Sequence, residues 1–562
     1  MHAAKVAGSS SRGHDWAVLI DALYRGRFNA WDSQRPSPRA VAVSGGRIVA
    51  FDDEAEALSK DAVSKDDFGQ AAIFPGFHDA HCHTTSYGVE LDQLDLSSPP
   101  IRSLDDLYEA VAAWAAALPP DGFVVGSRYD QNKIGGRHPD RFRLDRAAGG
   151  RPVWLKHTSG HMCTVNSATL ELIGAQLGTL TSGGAVVRDE AGEPTGLLEE
   201  GAQSLVQRLV LPRSTAELSR AIGRAHELYL EEGITSVCDA GIGGGFIGQS
   251  PLELAAYQRA RDEGRLRVRS TVMLSAELLG PAGGHAEDFA AEARAAAAGL
   301  RSGLGDEWLR IGPVKVFSDG SLIGRTCCME EDFSDSPGNR GYLQAAPEEL
   351  RALIVGAHLA GWQVATHAIG DRAVSFTIDC YEEALRRLHR PDHRLRIEHC
   401  GVTTDQSLHR IAALGIVPVP QGRFVGEIGD GMAAALGEER SPLAYRLASF
   451  LRAGIVLPGS SDRPVVDGAP LKGIADMVRR RTESGRPFGQ HERLSAEEAL
   501  RAYSAGSAFA ERSEASRGSL RLGQLADFVA LEADPRSLEP AEIANVKVLA
   551  TVVGGVIGFD AR

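Results

Sequence analysis

At 562 residues the chain is longer than one hydrophobic core usually serves, so several domains or one large barrel with additions are expected. A hydrophobic fraction of 43% and a charged fraction of 24% fit a soluble globular enzyme, and no apolar run approaches the ~20 residues that span a bilayer. The net charge of −14, with scattered basic residues, argues against nucleic acid as a partner, because phosphate binding needs a concentrated positive surface.

Met1 to His14 is polar and has neither an apolar run nor a small-residue cleavage site. A cytoplasmic protein is therefore expected. The seven cysteines form no C-x-x-C pair and read as reduced thiols. Cys82 and Cys400 are read as small buried packing residues ahead of a metal-ligand role.

In chain order, Trp16 to Ile20 and Ala40 to Val49, the second with a Gly45-Gly46 turn, read as short strands. Gly518 to Leu531 and Val546 to Gly558, with a Gly554-Gly555 turn, read the same way at the other end. The two ends are expected to complete one sheet. Between them, strand-like apolar runs alternate with helical stretches: 103–118, 216–232, 251–264, 286–299, 347–361 and 373–388. That βα alternation predicts a parallel sheet covered by helices, with a (β/α)₈ barrel as the leading candidate at this length.

A barrel's active site lies at the C-terminal ends of its strands, which directs attention to unusual residues there. Phe74-Pro75-Gly76-Phe77-His78-Asp79-Ala80-His81-Cys82-His83 follows an apolar run. In extended chain, i and i+2 share a face, so His81 and His83 can grip one cation while Cys82 points away. A His-rich loop with solvated rings is the bland alternative.

Lys315 lies in an apolar strand, where a lysine must be paired, modified or neutral. It either snorkels or pairs with a carboxylate such as Asp319, or it holds a free amine able to take up CO₂ as a carbamate bridging two metals. His367 and His399 each close an apolar strand, and Asp462 stands in a Gly/Ser/Pro turn after the last one. Each alone fits a core histidine or a turn aspartate; together they suit one mouth that holds zinc or a similar divalent ion.

These residues and their order resemble the amidohydrolase superfamily, in its amidohydrolase-3 branch of YtcJ-like metal-dependent hydrolases that includes N-substituted formamide deformylases. The marks are Pro75-Gly76-Phe77 with Asp79 and His81-x-His83, Leu144-Asp145, Ser159-Gly160-His161, Asn166-Ser167, Gly192-x-Pro194-Thr195-Gly196, Gly233-Ile234-Thr235, Lys315 with Asp319-Gly320-Ser321-Leu322, His367-Ala368-Ile369-Gly370-Asp371, Ile397-Glu398-His399, Ser461-Asp462-Arg463-Pro464 and Gly523-x-x-Ala526-Asp527. The resemblance covers nearly the whole chain. It implies an α/β fold, a (β/α)₈ barrel plus a β-sandwich built from both termini: residues 1–74 and 511–562 in the sandwich, 75–510 in the barrel, and an insertion at about 97–207 covering the mouth. His78 stands where the family usually has an aliphatic residue, and is read as packed core ahead of a supporting donor.

The resemblance also implies that His81, His83 and Asp462 hold one metal and His367 and His399 another, bridged by carboxylated Lys315. The number of ions, one or two, is left open, and the donor types favour zinc. The expected reaction is cleavage of a non-peptide C–N bond, amide or formamide, of a small molecule by metal-activated hydroxide, with Asp462 as ligand and proton shuttle. A deaminase, lactonase or lyase on the same scaffold, or an inactive binding protein, is the alternative. His161 is a candidate substrate contact. Arg325 either meets a polar substituent or pairs with the acidic run Glu330 to Asp332. No nucleic acid or membrane partner is expected, and a homo-oligomer is compatible with the sequence.

Overall fold

The computed structural model describes residues 20–178, 183–245, 247–282 and 290–562. Its centre is a parallel sheet whose strands follow chain order: β1 (Phe77–Cys82), β2 (Ile234–Ile242), β3 (Arg269–Ser275), β4 (Leu309–Phe317), β5 (Val364–Ala368), β6 (Arg396–His399) and β7 (Val417–Val419). β2, β3, β5 and β6 are buried along their whole length, which is why they read as continuous apolar runs rather than alternating ones.

The eighth position is filled differently from the regular strand expected there. Residues 455–460 form no ladder, but Ala80 N donates to Gly459 O (3.0 Å), Ser460 Oγ to Pro420 O (3.0 Å) and Asp462 N to His81 O (2.7 Å). Pro458 has no N–H to offer a ladder, so side-chain and single backbone bonds close the barrel between β7 and β1.

Helices cover the outside. The helix Thr215–Glu231 begins at a Ser214–Glu217 capping box and buries Leu218, Ile222, Ala225 and Tyr229 against the barrel. Leu104–Ala117, Glu253–Asp262, Pro347–Leu359 and Asp371–Arg387 fall on the expected helical stretches. The expected helix 286–299 does not form where it is described. Arg294–Ala295 pairs with Gly280–Pro281, and Ala298 has φ +62°. Alanine's helix propensity is worth little in a stretch with no wide apolar stripe to bury. Residues 283–289 lie outside the described chain, as does all of 16–20 except Ile20.

Both ends of the described chain join one seven-stranded sheet. Its order is 556–560, 548–553, 528–531, 62–75, 20–28, 40–44 and 47–51. Gly45-Gly46 and Gly554-Gly555 turn between paired strands with φ of +58° to +73°, as the sequence predicts. Phe528 packs edge-on against Tyr24, Phe28 and Phe68, so the two ends share one core. Strand 62–75 passes through Gly76 straight into β1; a Cβ at Gly76 would lie 2.2 Å from Thr235, so only glycine lets the sheet join the barrel there.

A third sheet, ordered 184–188, 194–200, 162–165, 153–157, 124–129 and 94–95, stands beside the mouth. Asn166 caps the helix Ser167–Ile173, and Asp145 accepts from Ser167 N (3.0 Å), so both motifs brace this sheet. Thr158 Oγ1 donates to Val465 O (2.7 Å) and Gln131 Nε2 to Ile323 O (3.2 Å), tying the sheet to the barrel loops. Among the described residues no helix is long and apolar enough to cross a membrane.

Candidate metal centre

The strand ends bring the separate candidates to one rim. His83 Nε2 lies 2.9 Å and His81 Nε2 3.3 Å from Asp462 Oδ1, and one ligand atom from each of the three residues lies within 4.8 Å of the others. From His81 the imidazoles run on in sequence: His81 to His399, 5.0 Å between ring centres; His399 to His367, 4.4 Å; His367 to His161, 4.9 Å. Lys315 lines the same cavity together with His83, His161, His367, His399 and Asp462. The structure thus gathers every residue proposed for the site, His161 included.

The backbone is bent to do this. His399 (φ +67°) and Asp462 (φ +61°) sit in the left-handed region that side chains other than glycine seldom occupy, the kind of local strain that collects at functional sites. Asp79 holds one of these bends. Its carboxylate accepts from Ser461 N (3.0 Å), Ser461 Oγ (2.5 Å) and His81 N (3.1 Å), linking β1 to the loop that carries Asp462.

Asp319 does similar work for His367. It accepts from Ile369 N (3.0 Å), Gly370 N (2.8 Å) and Cys328 N (2.9 Å) and lies 3.5 Å from His367 Nε2. It is therefore not the partner of Lys315 that the sequence left open. Lys315 Nζ is buried without a hydrogen-bond partner, 4.7 Å from the centre of the Phe317 ring.

A model of the amidohydrolase family matches residues 67–559. This chain belongs to that family. YtcJ of Bacillus subtilis is 30% identical over 87% of this chain and 89% of its own, and the N-substituted formamide deformylase of Arthrobacter pascens is 30% identical over 94% and 96%. A metal-dependent hydrolase of Pyrococcus furiosus, known by its crystal structure, superposes with a TM-score of 0.67 at 28% identity, covering 92% of this chain and 100% of that one. Membership supports hydrolysis as the general reaction of this amidohydrolase.

Its electrostatics follow from burial. Burial lowers the Lys315 ammonium to about 8 against the opposing pull of Glu398 and Asp462, which leaves a sizeable fraction of free amine near neutrality. Burial, with His81 and Lys315 nearby, lowers His399 to about 3, so its ring is neutral and can donate a lone pair. Burial would raise Asp462, but His81 and His83 hold it well below the carboxylate range. Burial would likewise lower His161, yet the Glu200 carboxylate 2.7 Å from its Nδ1 raises it instead.

Several supporting residues were not assigned from sequence. Glu398 accepts a short hydrogen bond from His81 Nδ1 and is itself gripped by Arg396 Nε (2.7 Å) and Nη2 (2.9 Å). That contact fixes the tautomer of His81 with Nε2 turned to the rim. Gln421 Oε1 does the same for His399 Nδ1 (2.7 Å). A charged pair two residues apart in a buried strand was the legible signal for Arg396 and Glu398; Gln421 and Glu200 gave none. His78 proves to be a buried partner of Glu511 (2.5 Å), away from the rim. Arg325 pairs with Asp335 rather than with Glu330 to Asp332.

Two lobes flank the rim. One carries polar groups, among them Glu90, Arg128, Lys156 and Gln203. The other is apolar, lined by Leu322, Ile323, Phe424, Ile428 and Met432 beside His367 and His399.

Proposed function

We propose that this amidohydrolase cleaves a non-peptide carbon–nitrogen bond, of the amide or formamide type, in a small molecule. The observation that carries the reading is the convergence of His81, His83, Lys315, His367, His399 and Asp462 on one rim. The donor set fits a divalent metal such as zinc: His81 Nε2 and Lys315 Nζ are buried polar atoms with no hydrogen-bond partner, beside the neutral imidazoles of His367 and His399 and the ionised carboxylate of Asp462. His81, His83 and Asp462 would hold one ion, and His367 and His399 a second, with Lys315 between them as its CO₂ adduct. Bound there, such an ion supplies Lewis acidity and a water that ionises near neutrality.

The chain's own groups do the rest. Asp462 accepts the proton of the attacking water and returns it to the departing nitrogen, which needs a leaving group that is a poor anion, as an amide nitrogen is. His161, whose protonated form the Glu200 carboxylate favours, donates to the substrate carbonyl oxygen. The two lobes favour a substrate with a compact apolar group on one side of the scissile bond and a polar group on the other. Relatedness to a formamide deformylase supports the C–N reading.

The test is metal analysis of the purified protein followed by release of formate and amine over a panel of N-substituted amides, with lactones and aminated rings alongside. Amine release at the expense of water, dependent on bound metal, is expected. Turnover confined to lactones or to ring deamination would replace the reading by another hydrolysis on the same scaffold.

A further inference from the structure

At the opposite end of the barrel from the metal rim, where β4 and β5 begin, a cavity of ≈ 300 Å³ is walled by Arg301, Arg310, Arg390 and Arg512. Four guanidinium groups around one cavity are unexpected in a chain with a net charge of −14. They come from separate segments: the loop before β4, β4 itself, the loop after the helix Asp371–Arg387, and the turn after the helix Ser507–Ala510.

Of the two acids in this wall, Asp392 is engaged on both oxygens and Glu511 on one. Asp392 Oδ1 takes Arg394 (2.8 Å) and Oδ2 takes Arg512 (2.8 Å). Glu511 Oε1 is bonded to His78 (2.5 Å), and its buried Oε2 has no hydrogen-bond partner among the described residues. Among the described residues Arg301, Arg310 and Arg390 form no ion pair with a carboxylate. Arg310 donates to the Glu511 carbonyl and Arg390 to the Trp362 carbonyl (2.7 Å), which places both heads without neutralising them. The crowding is felt: burial and the charges of Arg512 and Arg301 lower Arg390, and burial with Arg390 and Arg512 lowers His393, in both cases against the opposing pull of Asp392. Such a cluster lacks only the counter-charge that guanidinium forks match best, a planar or tetrahedral oxyanion.

We propose that this floor cavity binds a small doubly charged oxyanion, phosphate or a group of like chemistry, at a site separate from the metal centre. The anion would join the four segments directly, adding to the Arg512–Asp392 pair, and so stabilise the fold without touching the reacting groups.

The experiment is thermal unfolding of the metal-loaded protein in inorganic phosphate, glycerol phosphate or succinate, each against chloride at equal ionic strength. The same titrations are run on Arg390→Gln and on Arg301→Gln, whose exposed side chain forms no ion pair among the described residues. A rise of at least about 2 °C with one of the oxyanions is expected, with at least a tenfold loss of apparent affinity in both variants. A response to inorganic phosphate assigns the site to the free ion, to glycerol phosphate alone to a phosphorylated metabolite, and to succinate alone to a dicarboxylate. No shift beyond chloride, or a shift that survives in both variants and so arises at the metal rim, overturns the proposal.

Discussion

Glu398 shows how one side chain can decide the chemistry of another. Because its carboxylate, locked by Arg396, takes the Nδ1 proton of His81, the Nε2 lone pair is directed at the rim. Glu398→Gln replaces that acceptor with a group that can also donate, and the preferred tautomer of His81 is lost. Metal affinity is expected to fall about 10–100-fold, measured by competition with a chelator, while far-ultraviolet circular dichroism stays unchanged. Unaltered affinity would make Glu398 a structural acid only. Asp462→Asn separates two jobs of one residue: much of the bound metal should remain while kcat falls about 10²–10⁴-fold. A variant with parental kcat would remove Asp462 from proton transfer. The ligand candidates themselves were legible in sequence, since polar residues at the ends of apolar strands stand out. Glu200 and Gln421 were not, because nothing in the chain near them says that a fold will aim them at His161 and His399.

Among the elements, the crossing from the terminal sheet into β1 is the least tolerant. Gly76→Ala would press a methyl onto Thr235 and is expected to cost about 1–3 kcal/mol by overpacking, read as a lower denaturation midpoint. Relief on combining it with Thr235→Ser would show that this contact is the cause. The helix Glu253–Asp262 carries a different vulnerability. Glu253, raised by burial to about 8, accepts from Gly243 N (2.6 Å) at the end of β2. The folded chain thus holds a proton that the unfolded one has lost, so this group's contribution is complete below the ordinary carboxylate range and fades as pH rises towards 8. Glu253→Gln should flatten the decline of stability between pH 5 and 8, in unfolding curves taken across that range; an unchanged slope would contradict it. Helices with an apolar stripe and strands buried on both faces could be read from their periods. The failures have physical causes: Pro458 denies the eighth strand a ladder, and the alanines of 293–298 offer too little apolar area to fix a helix.

For the whole molecule, the metal site links function to stability. The rim takes side chains from both ends of the barrel sequence, His81 and Asp462 being nearly four hundred positions apart. An ion bound there at a free concentration about 1,000 times its Kd stabilises the fold by about 4 kcal/mol. Chelation should therefore lower Tm by several degrees and abolish turnover together, and added zinc should restore both. Loss of activity with Tm unchanged would place the ion outside the barrel closure. The terminal sheet was readable because its turns carry paired glycines. The six-stranded sheet beside the mouth was not legible as a sheet, since its short strands have no period that distinguishes them from loops; family likeness led only to the expectation of an insertion at about 97–207.

The most direct measurement is an anomalous-difference map from a crystal of the metal-loaded protein, collected on both sides of the zinc absorption edge. A peak is expected within bonding distance of His81, His83 and Asp462, with a second near His367 and His399 if Lys315 carries extra density on Nζ. A rim with no anomalous peak in a protein that turns over amides and contains stoichiometric metal would contradict the metal assignment.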